Sequence, residues 1–253
     1  MSAARGDDAG PPAAEIAWHD CECGAYSADL ELWRRLAAEA GGPVLDLGAG
    51  TGRVSLELAL AGHRVTAVDR AGALLDELRR RARDAGVEVA TVTVDVRELS
   101  LGARFALVIA PMQLVQMLSG SGGRARLLAS AVAQLEPGAR FAAALLAGGP
   151  EVERDLGPPL PDVLERGGWV FSSLPLEVRE ADGTLELRRL RQAVSPRGEL
   201  AEEVDSISLD LLDPARFEAE AEAVGLSPAG RIAIGPTPDH VGSTVVVLER
   251  GEA

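Results

Sequence analysis

The segment Val44–Arg53, which reads VLDLGAGTGR, constrains the fold of this chain more than any other. Its apolar start, residues 44–47, predicts a buried strand, and a helical pattern begins near its end. Between them lie Gly48, Gly50 and Gly52, which let the backbone bend sharply and approach a ligand closely. The helix behind the turn supplies free N–H groups and a positive dipole end. The segment therefore predicts a strand–turn–helix unit that binds a nucleoside-bearing cofactor.

The spacing of the glycines separates the possible cofactors. A dinucleotide fingerprint, G-x-G-x-x-G, would place its third glycine at position 53, where this chain has Arg53. Asp46, at the end of the strand, would repel a pyrophosphate. A cofactor with a cationic amino-acid part and no phosphate fits better. A nicotinamide or flavin site, and a tight turn without any ligand, are the alternatives.

The pattern D-x-G-x-G-x-G from Asp46 to Gly52 resembles motif I of the class I S-adenosylmethionine-dependent methyltransferases. The resemblance extends over roughly residues 15–250 in the order of the predicted elements. It implies that the chain is an enzyme that binds S-adenosyl-L-methionine and transfers its methyl group.

Composition restricts the partners. The 253 residues carry a net charge of −14, which disfavours nucleic acid as a partner. All basic residues are arginine, which excludes Schiff-base chemistry, and asparagine is absent, which excludes the Asn-Pro-Pro-Tyr motif of amino-directed DNA methyltransferases. Cys21 and Cys23 lie near His19, but no second Cys/His pair has zinc spacing, so no metal site is predicted. Without an apolar leader or a long apolar run, we expect a cytoplasmic protein that makes no membrane contact.

Alternating strands and helices over residues 27–146 predict an α/β Rossmann-like methyltransferase fold. We expect a seven-stranded, mostly parallel sheet with helices on both faces and an antiparallel last strand. Helices are predicted at residues 27–40, 53–61, 71–85 and 124–135, with Ser27 or Asp29 near the first cap. Strands are predicted at 44–47, 64–69, 87–95, 105–110 and 140–146.

Beyond residue 150 the pattern changes to alternating apolar and polar positions over residues 169–180, 184–194 and 199–212, with turn signals between them. This predicts a small antiparallel lid inserted after strand five, at about residues 165–212. A helix beginning at Asp213-Pro214 and two last strands complete the domain. Residues 1–14 are predicted to form a disordered tail, and residues 15–253 a single methyltransferase domain.

The resemblance also implies a set of cofactor-binding residues at the carboxyl ends of the strands. Asp46 would contact the methionine ammonium, Asp69 the ribose hydroxyls, and Asp95 with Val96 the adenine. The full predicted set is Asp46, Gly48, Ala49, Gly50, Gly52, Asp69, Arg70, Asp95, Val96, Ala110 and Met112. Gln113 and Gln116 are further candidate polar contacts.

Catalytic residues are harder to predict, because in-line transfer from a sulfonium mainly needs alignment and the exclusion of water. His19 is a candidate general base and Tyr26 a candidate catalytic residue at the cofactor lid, where its ring could attract the sulfonium. A surface or capping histidine and simple packing of Tyr26 are the alternatives. His240 is a weaker candidate, and His63 lies on the wrong edge of the sheet. Trp169 and Phe171 would line either a substrate pocket or the core of the lid.

We therefore predict a methyltransferase that acts on a small-molecule acceptor, as a monomer or homodimer. Two alternatives stay open at the level of sequence. One is an RNA or protein methyltransferase, and the other is a protein that binds S-adenosylmethionine without transferring its methyl group.

Overall fold

The computed structural model describes residues 13–146, 160–237 and 240–252. The chain begins with two helices, α1 (Ala14–Cys23) and α2 (Leu30–Ala40), which precede the first strand. Helix α1 lies in a segment for which the sequence predicted no element. Residues 1–12 of the predicted disordered tail lie outside the described residues, and Ala14 already belongs to α1.

Strands and helices then alternate as predicted. The strands of this part are β1 (Val44–Leu47), β2 (Val65–Asp69), β3 (Val89–Thr93), β4 (Phe105–Ala110) and β5 (Leu135–Leu146), and the helices are α3 (Arg53–Leu60), α4 (Gly72–Asp84) and α5 (Ser121–Gln134). Strand β5 begins directly after α5, five residues earlier than expected. The last elements are α6 (Pro214–Glu222), β10 (Leu226–Ile234) and β11 (Ser243–Arg250).

The main sheet has seven strands in the order β10-β11-β5-β4-β1-β2-β3. Strands β1 to β5 run parallel to one another, whereas β11 runs antiparallel to both of its neighbours. The predicted Rossmann-like methyltransferase sheet with an antiparallel last strand is confirmed. Strands β1 and β4 lie at its centre, so motif I opens at the middle of the carboxyl edge.

Side chains of β4 alternate between two cores. Leu107 and Ile109 pack with α2 and α3 on one face, while Val108 and Ala110 pack with α5 and α6 on the other. A strand that is buried on both faces reads as a continuous apolar run, as the sequence FALVIA does.

A second sheet of four antiparallel strands follows β5. Its strands are β6 (Asp162–Arg166), β7 (Trp169–Ala181), β8 (Thr184–Val194) and β9 (Leu200–Asp210). The predicted antiparallel insertion after strand five is confirmed, with β6 as an additional strand. Trp169 and Phe171 pack with Trp18 of α1, so both belong to the core beneath this sheet. No helix among the described residues is long and apolar enough to cross a membrane.

Candidate active site

The motif I turn has the strained backbone that its glycines permit. Gly48, Gly50 and Gly52 have φ angles of 66°, 55° and 92°, in the left-handed region that other residues rarely adopt. A Cβ atom at Gly50 would overlap the imidazole of His19, so that ring lies directly on the turn. The Gly52 N–H donates to the Ala49 carbonyl at 2.9 Å, which closes the turn before α3 begins.

Asp46 is a buried carboxyl group with a missing partner. Its side chain is 1% exposed, and its Oδ2 accepts a hydrogen bond from Ser55 Oγ at 2.6 Å. Its other oxygen, Oδ1, is buried and has no hydrogen-bond partner. Burial raises the pKa of Asp46 to about 7, against the opposing effect of the Ser55 hydrogen bond. An unpartnered buried acceptor carries a free-energy penalty, which a cationic ligand at this position would relieve.

Asp69 is fixed at the end of β2 by the backbone of two loops. Its Oδ2 accepts the Gly50 N–H and its Oδ1 accepts the Ala71 N–H, each at 2.9 Å. Each carboxylate oxygen keeps a further lone pair. The side chain is half-buried and can accept additional hydrogen bonds from a pair of hydroxyl groups, whereas neighbouring Arg70 is exposed.

Asp95 lies at the next strand end, where its side chain accepts from the Arg97 N–H and pairs with the Arg97 guanidinium at 2.6 Å. The hydrogen bond from the Arg97 side chain holds the pKa of Asp95 down at about 2. Val96 follows in a short 3₁₀ turn and is buried. Sequence reasoning did not anticipate this ion pair, which occupies part of the hydrogen-bonding capacity of Asp95.

A cavity of about 50 Å³ opens at the motif I turn, between α1 and the end of β4. It is lined by His19, Cys23, Asp46, Gly48, Ala49, Arg53, Val54, Pro111 and Met112. Of the predicted site residues, the lining contains His19, Asp46, Gly48, Ala49 and Met112. The others lie outside it, namely Tyr26, Gly50, Gly52, Asp69, Arg70, Asp95, Val96 and Ala110.

Helix α1 holds His19 over the turn through its neighbour Asp20. Thr51 Oγ1 donates to Asp20 Oδ1 at 2.7 Å. The other oxygen of Asp20, Oδ2, pairs with Arg81 of α4 and, at 2.9 Å, with Arg166 of β6. Burial would raise the pKa of Asp20, but hydrogen bonds involving His19, Arg81 and Thr51 outweigh it and hold that pKa below its usual range. The charged carboxylate therefore connects α1 with the turn, with α4 and with the second sheet.

Arg53, which stands in the place of a dinucleotide-type glycine, has a structural partner. Its guanidinium pairs with both oxygens of Asp29, at 2.5 and 2.7 Å, and donates to the Tyr26 carbonyl at 2.9 Å. Asp29 is the N-cap residue of α2, in line with the prediction, but its side chain forms no capping bond and instead pairs with Arg53 and accepts from Trp33 Nε1 at 2.8 Å.

Tyr26 is buried between Arg53 and His240. The Arg53 guanidinium lies 5.1 Å from the centre of the Tyr26 ring, and the His240 ring lies 4.9 Å away. Burial and the nearby Asp29 raise the pKa of the Tyr26 phenol. The phenol is therefore neutral near pH 7, and one face of its ring already meets a cation.

Cys23 is a cavity residue that sequence reasoning did not identify. Burial, reinforced by the charge of Glu22, raises the pKa of its thiol to about 11. The group therefore stays protonated at neutral pH and is a poor nucleophile. No pattern in the sequence pointed to this position, because Cys23 reaches the cavity only through the course of α1.

The end of β4 supplies the remaining wall. Pro111 and Met112 line the cavity, and Met112 adopts a left-handed φ of 55°. Gln116, a candidate cofactor contact, is instead structural, because its amide donates to the Asp210 carbonyl and accepts the Leu146 N–H.

Residues 44–138 match the model of a family described as a methyltransferase domain. The cypemycin N-terminal methyltransferase of a Streptomyces species is 37% identical over 98 residues, which are 39% of this chain and 39% of that protein. The similarity thus spans about two fifths of the relative's length.

Solved structures resemble nearly the whole chain. The CcbJ methyltransferase of Streptomyces caelestis is 25% identical, with a TM-score of 0.68 over 94% of this chain and 96% of that one. S-adenosylmethionine-bound CalS10, an amino pentose methyltransferase of Micromonospora echinaspora, is 19% identical, with a TM-score of 0.69 over 97% and 99% of the two chains.

The sheet order, the motif I turn and these similarities identify residues 44–138 as a methyltransferase domain in a chain with the fold of class I S-adenosylmethionine-dependent methyltransferases. S-adenosylmethionine is the ligand bound in CalS10, and here the unpartnered Asp46 Oδ1 beside a glycine turn fits the cationic amino-acid part of that molecule. The sequence-based identification is confirmed at this level.

Proposed function

We propose that this protein transfers the methyl group of S-adenosyl-L-methionine to an amine nitrogen of a small molecule. The observation that carries the cofactor geometry is the buried, unpartnered Oδ1 of Asp46 in the cavity at the motif I turn. Since the adjacent Oδ2 is held by Ser55, the free oxygen has a fixed direction and suits an ammonium group.

With the ammonium group at Asp46, the other predicted residues would contact the remaining parts of the cofactor. Asp69 would accept the two ribose hydroxyls with the lone pairs that its backbone donors leave free. Asp95 and the Val96 N–H would contact the adenine, with Arg70 beside it. Ala110 and Met112 would run along the methionine part, and the glycines at 48, 50 and 52, with Ala49, would allow close approach.

The bound cofactor supplies a methyl group that its sulfonium already activates. The chain therefore needs to align the acceptor opposite the sulfur and to exclude water. The apolar Val54, Pro111 and Met112 provide such a wall, and protonated Cys23 does not compete for the methyl group. An amine that binds in its neutral form can attack without a general base.

Two observations favour an amine acceptor. The acceptors named for the similar proteins are an amino pentose and the N-terminus of cypemycin. In addition, the net charge of −14 attracts ammonium ions and repels phosphate-rich partners such as RNA.

A peptide N-terminus is the second candidate acceptor, because the cypemycin N-terminal methyltransferase is a relative that this chain matches over 98 residues. It presents the same chemical group, a primary amine, on a larger molecule. The second sheet would form the side of the site where the acceptor enters.

The test is transfer of a deuterated methyl group from labelled S-adenosylmethionine to panels of amino sugars, small amines and short peptides, followed by mass spectrometry. We expect a gain of one labelled methyl on nitrogen in one panel and none on matched alcohols. Cofactor binding without transfer to any panel member would instead support a non-methylating binding protein. Transfer only to hydroxyl, thiol or carbon acceptors would overturn the amine assignment.

A further inference from the structure

We propose that His19 binds the α-carboxylate of the cofactor and is not the general base. The inference rests on the proposed cofactor orientation, in which the amino-acid end lies at Asp46. His19 and Asp46 line the same small cavity, one from α1 and the other from β1. The amino-acid end of the cofactor carries a carboxylate besides its ammonium, so this end of the site needs a donor as well as an acceptor.

The local charge distribution singles out His19 as that donor. Two side chains of the cavity lining, His19 and Arg53, carry ring or guanidinium N–H groups. The charge of Arg53 is already offset by its bidentate pair with Asp29, and another of its N–H groups is held by the Tyr26 carbonyl. His19 has no bidentate pair of this kind, and its carboxylate contact is longer, with its Nδ1 4.0 Å from Asp20 Oδ1 and 3.3 Å from Thr51 Oγ1.

The position of the imidazole also disfavours a role as base. Its Nε2 edge rests on Gly50, within the turn that faces the cofactor, where a Cβ would overlap it. A general base has to reach the acceptor nitrogen, which lies beyond the transferred methyl group. His19 is therefore a binding residue for the end of the cofactor that does not react.

The ion-pair cluster of α1 supports this role by fixing the ring. Asp20, adjacent to His19, is held by Thr51, Arg81 and Arg166. A donor that is already oriented loses little conformational entropy on binding, which increases its contribution to affinity.

The test compares two ligands by calorimetry. One is S-adenosylhomocysteine, and the other is 5′-deoxy-5′-(3-aminopropylthio)adenosine, which keeps the amine and lacks the carboxylate. For His19→Leu we expect a dissociation constant about tenfold higher for S-adenosylhomocysteine, with little change for the decarboxylated ligand. His19→Gln retains an N–H donor and should recover part of the lost affinity.

His63→Leu is the matched control, because His63 lies in the loop between α3 and β2, at the opposite edge of the sheet. It should change neither dissociation constant. An equal loss for both ligands in His19→Leu, or no loss for either, would overturn the assignment of His19 alone. Failure of the wild-type protein to bind S-adenosylhomocysteine at all would instead overturn the proposed cofactor site on which this inference rests.

Discussion

At the scale of single residues, the site is organised around a carboxyl group that destabilises the protein. Asp46 is 1% exposed, and its pKa of about 7 compares with an ordinary value of 3.8. Because its pKa is raised, the protonated Asp46 contributes fully to the free energy of unfolding below pH 3.8. This contribution is lost as the pH rises towards about 7 and the buried group becomes charged. Such a penalty is typical of functional positions, where a ligand relieves it.

We predict that Asp46→Asn raises the thermal stability of the protein and lowers its affinity for the cofactor product. At pH 8 the variant should melt at a higher temperature than the wild type, because it no longer carries a buried charge, and the difference should shrink at pH 5. Its affinity for S-adenosylhomocysteine should fall about tenfold or more at pH 8. Scanning calorimetry and titration calorimetry measure the two effects.

The affinity for S-adenosylhomocysteine should depend on pH differently in the wild type and in Asp46→Asn. Below pH 7 the wild type should lose affinity by up to about tenfold per pH unit as Asp46 becomes protonated. The variant should show a flatter profile. Parallel profiles for the two proteins, or a variant that is less stable at pH 8, would contradict the assigned role of Asp46.

Residues of motif I could be predicted from sequence because glycine spacing and a strand-end acid have direct geometric consequences. The partners of these residues could not. The pairing of Arg53 with Asp29 joins positions 24 apart in the chain, and that of Asp20 with Arg166 joins positions 146 apart. Such pairs depend on how α1 and the second sheet pack, which periodicity does not encode.

At the scale of elements, a buried arginine joins the second sheet to the main domain. Arg124 of α5 is 1% exposed and pairs with Glu220 of α6, at 2.6 and 2.7 Å, and with Asp210 at the end of β9. Asp210 also accepts the Gly120 N–H at 2.6 Å. Three elements therefore meet at one guanidinium.

We predict that Arg124→Met lowers the free energy of unfolding by about 3 kcal/mol, because it leaves two carboxylates without their cation. The melting temperature should fall by roughly 6–12 °C for a chain of this size. The control is Arg34→Gln, which removes an exposed pair with Glu57 and should leave the melting temperature almost unchanged. Equal small losses in both variants would contradict a structural role for Arg124.

Helices and strands could be predicted where their buried residues recur at a regular spacing along the sequence. They were harder to predict where that spacing is absent. Helix α6 begins at Asp213-Pro214 as expected, with Asp213 accepting the Ala215 N–H at 2.7 Å. Helix α1, by contrast, buries only Ala17, Trp18 and Cys21, which are too few to give a recognisable helical pattern of apolar residues. Strand β6 was missed for a similar reason, since none of its residues is fully buried.

At the scale of the whole molecule, the mostly parallel sheet with helices on both faces was predicted from sequence, because alternating strands and helices form βαβ units and parallel strands need both faces covered. The order of the strands comes from the structure. The second sheet was predicted as an insertion, and its position over α1 was not. That position brings Arg166 to Asp20 and thereby fixes His19 on the motif I turn. The cofactor site consequently depends on all parts of the molecule.

The most direct test of the account is a calorimetric titration of the folded protein with S-adenosylhomocysteine and, separately, with NAD, alongside Asp69→Ala. We predict micromolar binding of S-adenosylhomocysteine only, lost in the variant, because Asp69 holds the Gly50 N–H and, in the proposed site, would accept the ribose hydroxyls. Binding of NAD, or no binding of S-adenosylhomocysteine by protein shown to be folded by circular dichroism, would contradict the account.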